Sequence, residues 1–254
     1  MNVKIEAEYL YKNNLDLYKF KNNKWIRSEC KKNKKDVKIL TYNLWGPPQD
    51  KLKYPKFYKI DTRGNGFVKL LSKIKPDVCC LQEVSKDWLN FFLKSDYIRK
   101  KYYITDSNSN RVFMNWGLDN IFLTKVKLDD ITVFGLPGMQ MDSFLTGCLN
   151  GIMLGTFQLH SGSKYTDFRK LQLKTILNIF KNKKFMITGD FNFTDGDPEN
   201  KILKKIKDPW NIKKNPGYTE DTYINKMRYN IKGKHKQVRF DKFMYNNNKI
   251  KVKS

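Results

Sequence analysis

The stretch FMITGDFNF, residues 185–193, decides the fold: a short apolar run fit for a buried strand stops on Asp190, and Asn192 follows two residues on. Four further runs are built alike. VKILTY (37–42) stops before Asn43, DVCCLQ (77–82) before Glu83, IMLGTFQL (152–159) before His160 and QVRF (237–240) before Asp241. If neighbouring strands are aligned, all five polar side chains emerge near one rim, where open α/β sheets place their active sites. Turn chemistry or helix capping explains one such ending. Five of them, with His160 one of only two histidines, point to an enzyme.

Helix candidates lie between the runs. Residues 66–74 place Phe67, Leu70, Leu71 and Ile74 at helical spacing before Pro76; residues 87–97 carry Trp88, Phe91 and Phe92; residues 167–180 set Phe168, Leu171, Ile176, Leu177 and Phe180 near one face. Strands alternating with helices and further strands predict sheet layers covered by helices, an α/β sandwich. At the N-terminus, LDLYKFKNNKWI alternates around Asn22-Asn23 as a hairpin would, and the lysine-rich stretch 30–35 reads as a linker. Residues 1–35 are therefore expected to be an N-terminal appendage, and 36–254 a catalytic domain.

A chain of 254 residues with 40% hydrophobic and 14% aromatic content can bury one large core. It has no run of the roughly 18 apolar residues that a membrane helix needs, and no apolar signal segment at its start, so an intracellular, cytoplasmic or nuclear protein without a membrane partner is expected. Cys30, Cys79, Cys80 and Cys148 form no CxxC pair, and with two histidines they leave no ligand set for structural zinc. The formal charge of +25 favours a polyanionic partner, nucleic acid above all. The excess is mostly lysine amid abundant asparagine, a bias that A+T-rich coding would also produce.

The chemistry is concrete around GDFNF. Asp190 and Asn192, two residues apart on an extended segment, are expected to project to the same side. A carboxylate there can orient and deprotonate a water while the amide holds it or a phosphate oxygen. Glu83 supplies a hard oxygen ligand for Mg²⁺, and Asn43 can hydrogen-bond in the same cluster. The set suits metal-assisted phosphodiester hydrolysis.

TYNLWG (41–46), LQEV (81–84), Leu159-His160, GDFNF (189–193) and RFDKF (239–243) stand in the order of the endonuclease/exonuclease/phosphatase superfamily, which the chain resembles over roughly residues 37–245. The resemblance implies a two-sheet, four-layer α/β sandwich that cuts phosphoester bonds with Mg²⁺, or Mn²⁺ in its place. DPW (208–210) and YTEDTYIN (218–225) are similar to segments of the tyrosyl-DNA phosphodiesterase 2-like branch. That likeness implies Asn43 and Glu83 in the metal site, Asp190 and Asn192 around the attacking water, Asp241 as a further catalytic carboxylate, His160 on the phosphate and Ser163 as a phosphate contact. The implied substrate is a DNA end with a 5′-phosphotyrosyl adduct, handled by a monomer.

Two departures qualify the likeness. Glu220 stands where the branch has a tryptophan, so an aromatic contact with the nucleic acid at that point is either absent or supplied elsewhere, with Tyr223 the candidate; Arg239 is either structural or phosphate-facing. The superfamily also closes with a Ser-Asp-His motif whose histidine pairs with the carboxylate matching Asp241. This sequence stops at Ser254 without that motif and without the strand expected beside it. The other histidine, His235, reads as a solvated loop residue, and Asp195, Asp197 and Glu199 as a solvated acidic loop and helix cap. Alternatives are a weakened or inactive DNA-end-binding protein, or an endonuclease, inositol phosphatase or lipid phosphodiesterase on the same core.

Overall fold

The computed structural model describes residues 8–46, 55–107, 118–138, 142–210, 214–247 and 250–252. In chain order it forms β1 (Lys12–Asn14), β2 (Tyr18–Lys21), β3 (Lys24–Arg27), β4 (Ile39–Asn43), α1 (Pro55–Tyr58), α2 (Ile60–Ile74), β5 (Val78–Ser85), α3 (Lys86–Lys94) and α4 (Asp96–Lys101). There follow β6 (Tyr103–Ile104), β7 (Leu118–Thr124), β8 (Asp129–Gly135), β9 (Ser143–Leu149), β10 (Ile152–Gln158), α5 (Thr166–Ile179) and β11 (Phe185–Asp190). The last elements are β12 (Glu220–Asp221), α6 (Lys226–Lys232), β13 (Gln237–Val238) and β14 (Asp241–Tyr245).

Two six-stranded sheets result, one in the order β1-β8-β9-β10-β11-β14 and the other β3-β2-β6-β7-β5-β4. Alternation along β5 shows how they stack. Cys79 joins Leu71, Trp88 and Phe92 of the covering helices, whereas the adjacent Cys80 joins Phe122, Val133, Leu145 and Leu154 between the sheets. On the far side of the first sheet, Leu173 and Ile176 of α5 pack against Phe144, Phe157 and Ile187. The layers are thus helices, sheet, sheet, helix, the four-layer α/β sandwich that the motif order implies.

The predicted helices form with shifted ends. α2 begins six residues before Gly66 and ends in a left-handed cap at Lys75 (φ 54°), whose N–H bonds the Leu71 carbonyl, ahead of Pro76, which cannot continue a helix. The 87–97 segment breaks at Ser95 into α3 and α4, and Ser85 caps α3 by accepting the Trp88 N–H. Asn22 and Asn23, at φ 50° and 60°, make the hairpin turn between β2 and β3. That hairpin is no free appendage: Tyr18 pairs with Ile104 of β6, and β1 pairs with β8, so the first strands extend both sheets.

β4 and β5 run parallel, as do β10 and β11, so their C-terminal ends lie at one rim. Asp241 differs from expectation. QVRF is no core strand ending on it: Gln237–Val238 pairs with β12 in a separate small sheet, and Asp241 opens β14. Because β14 is antiparallel to β11, its first residue still falls opposite Asp190, at the same rim.

Gly189, one residue before Asp190, holds φ +140°, and a Cβ there would sit 2.0 Å from the Phe157 carbonyl oxygen of the neighbouring strand. Gly189→Ala is expected to lower the free energy of unfolding by at least about 2 kcal/mol in a urea titration; an unchanged midpoint would contradict this account of β11.

Candidate active site

The rim opens into a cleft of about 1630 Å³ bordered by Asn43, Glu83, Asp190, Asn192, Ser163 and Asp241 among others. Glu83 is aimed into it by a backbone irregularity. The pairing of β5 with β7 slips between Leu81 and Val84, and Glu83 takes φ 53°, a costly conformation for a residue with a Cβ. Gly46 makes room for this: a Cβ there would lie 2.3 Å from the Glu83 carbonyl oxygen. The loop after β4 is clamped by Arg63, which donates to the carbonyls of Leu44 and Trp45 and lies over the rings of Trp45 and Trp88. Pro47 and Pro48, next in the sequence, lie outside the described residues.

At the centre, the Asn43 amide nitrogen donates to Glu83 Oε1 and to Asp190 Oδ2, each at 2.9 Å. Its oxygen accepts the Trp45 N–H at 2.7 Å. Asn43 therefore organises both carboxylates, and Glu83, not the amide, offers the free oxygen for a cation. Gln158 Nε2 donates to the same Glu83 oxygen from the other sheet. Asp190 Oδ1 accepts the Asn192 N–H at 2.8 Å, which curls the chain so that Asn192 adopts φ 52°. The segment is thus turned where an extended one was expected, and the Asn192 amide is held by the Leu159 carbonyl at 2.8 Å.

The electrostatics follow from packing acids together. Burial pushes the Glu83 carboxyl up to about 7, with the Asn43 hydrogen bond opposing and the Asp190 charge adding to the rise. Burial and then the Asp190 charge push Asp241 up to about 7 as well. Asp190 is raised by burial against its two hydrogen bonds. One Asp241 oxygen is buried without a hydrogen-bond partner. Clustered, desolvated carboxylates with a spare oxygen are what a divalent cation would satisfy. Among the described residues no three His, Cys, Asp or Glu side chains converge as a ready ligand cage. That donor set fits Mg²⁺, which takes one or two carboxylates and keeps several waters.

Other expected residues are placed differently. His160 is 3% exposed, with its ring edge-on to Tyr165 and Nδ1 3.4 Å from Asp142 Oδ2; Leu159 and Ser161 on either side of it border the cleft. Arg239 borders the cleft but is 7% exposed and forks between Asp195 and Asp208. The segment read as a solvated acidic loop is built in: Asp195 also holds Lys242, Asp197 accepts the Thr194 N–H, and buried Glu199 pairs with Arg169. Tyr223 is exposed and stacks on His235 at 3.9 Å, away from the cleft lining. His235 itself lies between Tyr223 and Tyr229.

Sequence reading missed Asp142, Gln158, Arg169 and Gln172. Gln172 accepts the His160 N–H and donates to Asp142, while Arg169 donates to the carbonyls of His160 and Gly162. Two polar residues on the buried side of an amphipathic helix were the signal available.

The model of the Endonuclease/Exonuclease/phosphatase family matches residues 40–253. The chain belongs to that family. Members of the endonuclease/exonuclease/phosphatase family are hydrolases of phosphoesters, which accords with the acidic rim. No curated protein matches the chain. Among solved structures, D. rerio TDP2 complexed with a single-strand DNA product is 20% identical, covering 85% of this chain and 86% of that one with a TM-score of 0.60. Truncated Caenorhabditis elegans TDP2 is 18% identical over 82% of this chain and 83% of that one, with a TM-score of 0.56. A β-hairpin deletion mutant of the beta toxin of Staphylococcus aureus is 17% identical over 87% and 90%, with a TM-score of 0.63. These likenesses are of fold. Among the described residues no helix is long and apolar enough to cross a membrane.

Glu83 has an ordinary value of 4.5 and Asp241 of 3.8, and both rise to about 7 on folding. The folded state therefore binds protons more tightly than the unfolded one, and the stability this contributes is lost as pH rises through 7. Glu83→Gln, in metal-free buffer, is expected to be more stable than the parent at pH 8 by on the order of 2 kcal/mol, with the gap closing by pH 5. Thermal melts across that range check it; a gap independent of pH would contradict the arrangement.

Proposed function

We propose that this protein is a divalent-cation-dependent phosphodiesterase that processes nucleic-acid ends, with a 5′-phosphotyrosyl DNA end as its preferred substrate. The observation that carries the reading is the triplet Glu83, Asp190 and Asp241, three desolvated carboxylates at one rim with a single amide, Asn43, joining the first two. Support for DNA comes from the +25 charge of the chain, from the TDP2-like segments of the sequence and from the likeness to a TDP2 fold carrying a DNA product.

Glu83 would hold Mg²⁺, and Asp241, which feels the charge of Glu83 and has one oxygen without a partner, would be the second candidate carboxylate. When bound, the cation neutralises charge developing on the phosphate. Asp190, its basicity raised by burial, accepts the proton of the attacking water, while Asn43 and the Asn192 N–H fix its two oxygens. Asp190 and Asp241 lie opposite one another on adjacent strands, and the charge of Asp190 adds to the burial that raises Asp241. Ser163, exposed on the opposite wall, offers its hydroxyl to a phosphate oxygen, and His160 backs that wall with its ring fixed by Asp142. As water's oxygen bonds to phosphorus, the bond from phosphorus to the tyrosine oxygen breaks. A phenolate, whose acid has a pKa of about 10, leaves with little proton donation, whereas an alkoxide needs far more. That favours an aryl ester among the phosphodiesters the family hydrolyses.

The test is release of tyrosine from a 5′-phosphotyrosyl oligonucleotide. With Mg²⁺ the parent should turn over, chelation should abolish release, and Glu83→Ala or Asp190→Ala should each cost at least about a thousandfold. DNA binding without release would favour a binding protein, and cleavage of sphingomyelin or abasic duplex in its place would favour another phosphoester.

A further inference from the structure

More carboxylates than basic side chains border the cleft of this strongly basic chain, so the few cations facing it matter. Three arginines line it. Arg169 spends its nitrogens on Glu199, Thr166 and two carbonyls, and Arg239 is forked between Asp195 and Asp208. Arg228 differs: its Nε donates to Glu220 Oε1 at 2.6 Å, and its two terminal nitrogens make no hydrogen bond among the described residues. Lys236 Nζ takes the other Glu220 oxygen at 2.8 Å. One carboxylate thus gathers two cations on the cleft wall and leaves one positive charge and the outer edge of a guanidinium unspent.

The pair is fixed in place by the small unit β12–α6–β13. Glu220 pairs in register with Val238, Thr222 bonds to the backbone of Lys236, and Tyr223 and Tyr229 both stack on His235. The cations also stand close enough to the reacting acids to be felt there. Arg228 opposes the rise of Glu83 that burial causes, and at Asp190 the Glu220 charge adds to the rise while Lys236 opposes it. A planar fork held beside a point charge, across from a site that handles one phosphate, is suited to a second.

We infer that Arg228 and Lys236, gathered by Glu220, form a second phosphate subsite that receives the backbone phosphate next to the scissile one in a nucleic-acid strand. It rests on the phosphodiesterase reading for the identity of the first phosphate, and it assigns the substrate class: a polynucleotide end is held at two phosphates, whereas a lone phosphoester is held at one.

The experiment is calorimetric titration of the full chain with thymidine 5′-monophosphate and with the dinucleotide pTpT, in Mg²⁺, which reads binding without turnover. The parent should bind pTpT about tenfold or more tightly than the mononucleotide, a ratio that shrinks with added salt. In Arg228→Gln and Lys236→Gln the ratio should fall to about two, and in Glu220→Gln, which releases both cations from their carboxylate, it should rise. A purely structural ion cluster would make Glu220→Gln lose binding, and melting temperatures separate that from misfolding. Equal affinities in the parent, or a ratio untouched by the Arg228 and Lys236 variants, overturn the subsite. A ratio that behaves as expected in a protein that cleaves no phosphodiester keeps the subsite and overturns the phosphodiesterase reading.

Discussion

The Asn43 amide, donating at once to Glu83 on its own sheet and to Asp190 on the other, is the interaction on which the site depends. Two carboxylates brought together in a desolvated rim repel, and a neutral donor shared between them is the cheapest way to hold the pair before a cation arrives. The two sheets must therefore meet at this point, and buried polar ties across the interface set the distance. Gln82 reaches Thr156, Gln158 reaches Glu83, and Asn120 reaches Ser143. Each such tie would be costly if left unmade, which fixes the register of one sheet on the other more tightly than apolar contacts would.

Backbone strain serves the same end. Glu83, Trp45 and Asn192 all take left-handed conformations within the rim, and Gly46 and Gly189 supply close approaches that a Cβ would block. The packing of Cys80, Phe122 and Leu154 between the sheets and of Phe92 and Ile176 beneath the helices supplies the apolar burial that sustains these local costs. Charge is divided likewise: lysines spread over the chain carry it to +25, while carboxylates outnumber basic side chains around the cleft.

Much of this was legible in the sequence because apolar runs ending on Asn43, Glu83 and Asp190 report both strand and rim. Parallel pairing then brings the endings together. Asp241 was legible as a rim residue but for the wrong reason, since a two-residue strand pairing outside the core looks like any other short apolar run. Asn192 borders the cleft with Asp190, but on a turned segment and not an extended one, because its own N–H bonds back to Asp190, a local contact that overrides the extended pattern. β1 pairs with β8 more than a hundred residues away, a non-local pairing that its sequence KNN does not announce. Gln172 reaches Asp142 and Gln158 reaches Glu83, pairs far apart in the chain that no spacing rule links.

The central claim is that Glu83 and its neighbours hold one divalent cation. Titration of Mg²⁺ into the metal-free protein near pH 7, followed by calorimetry in two buffers of different ionisation heat, tests it most directly. The account predicts one site, proton release on binding because carboxyls raised to about 7 must ionise, and loss of both in Glu83→Gln. Binding that Glu83→Gln leaves intact, or no binding at all, would contradict it.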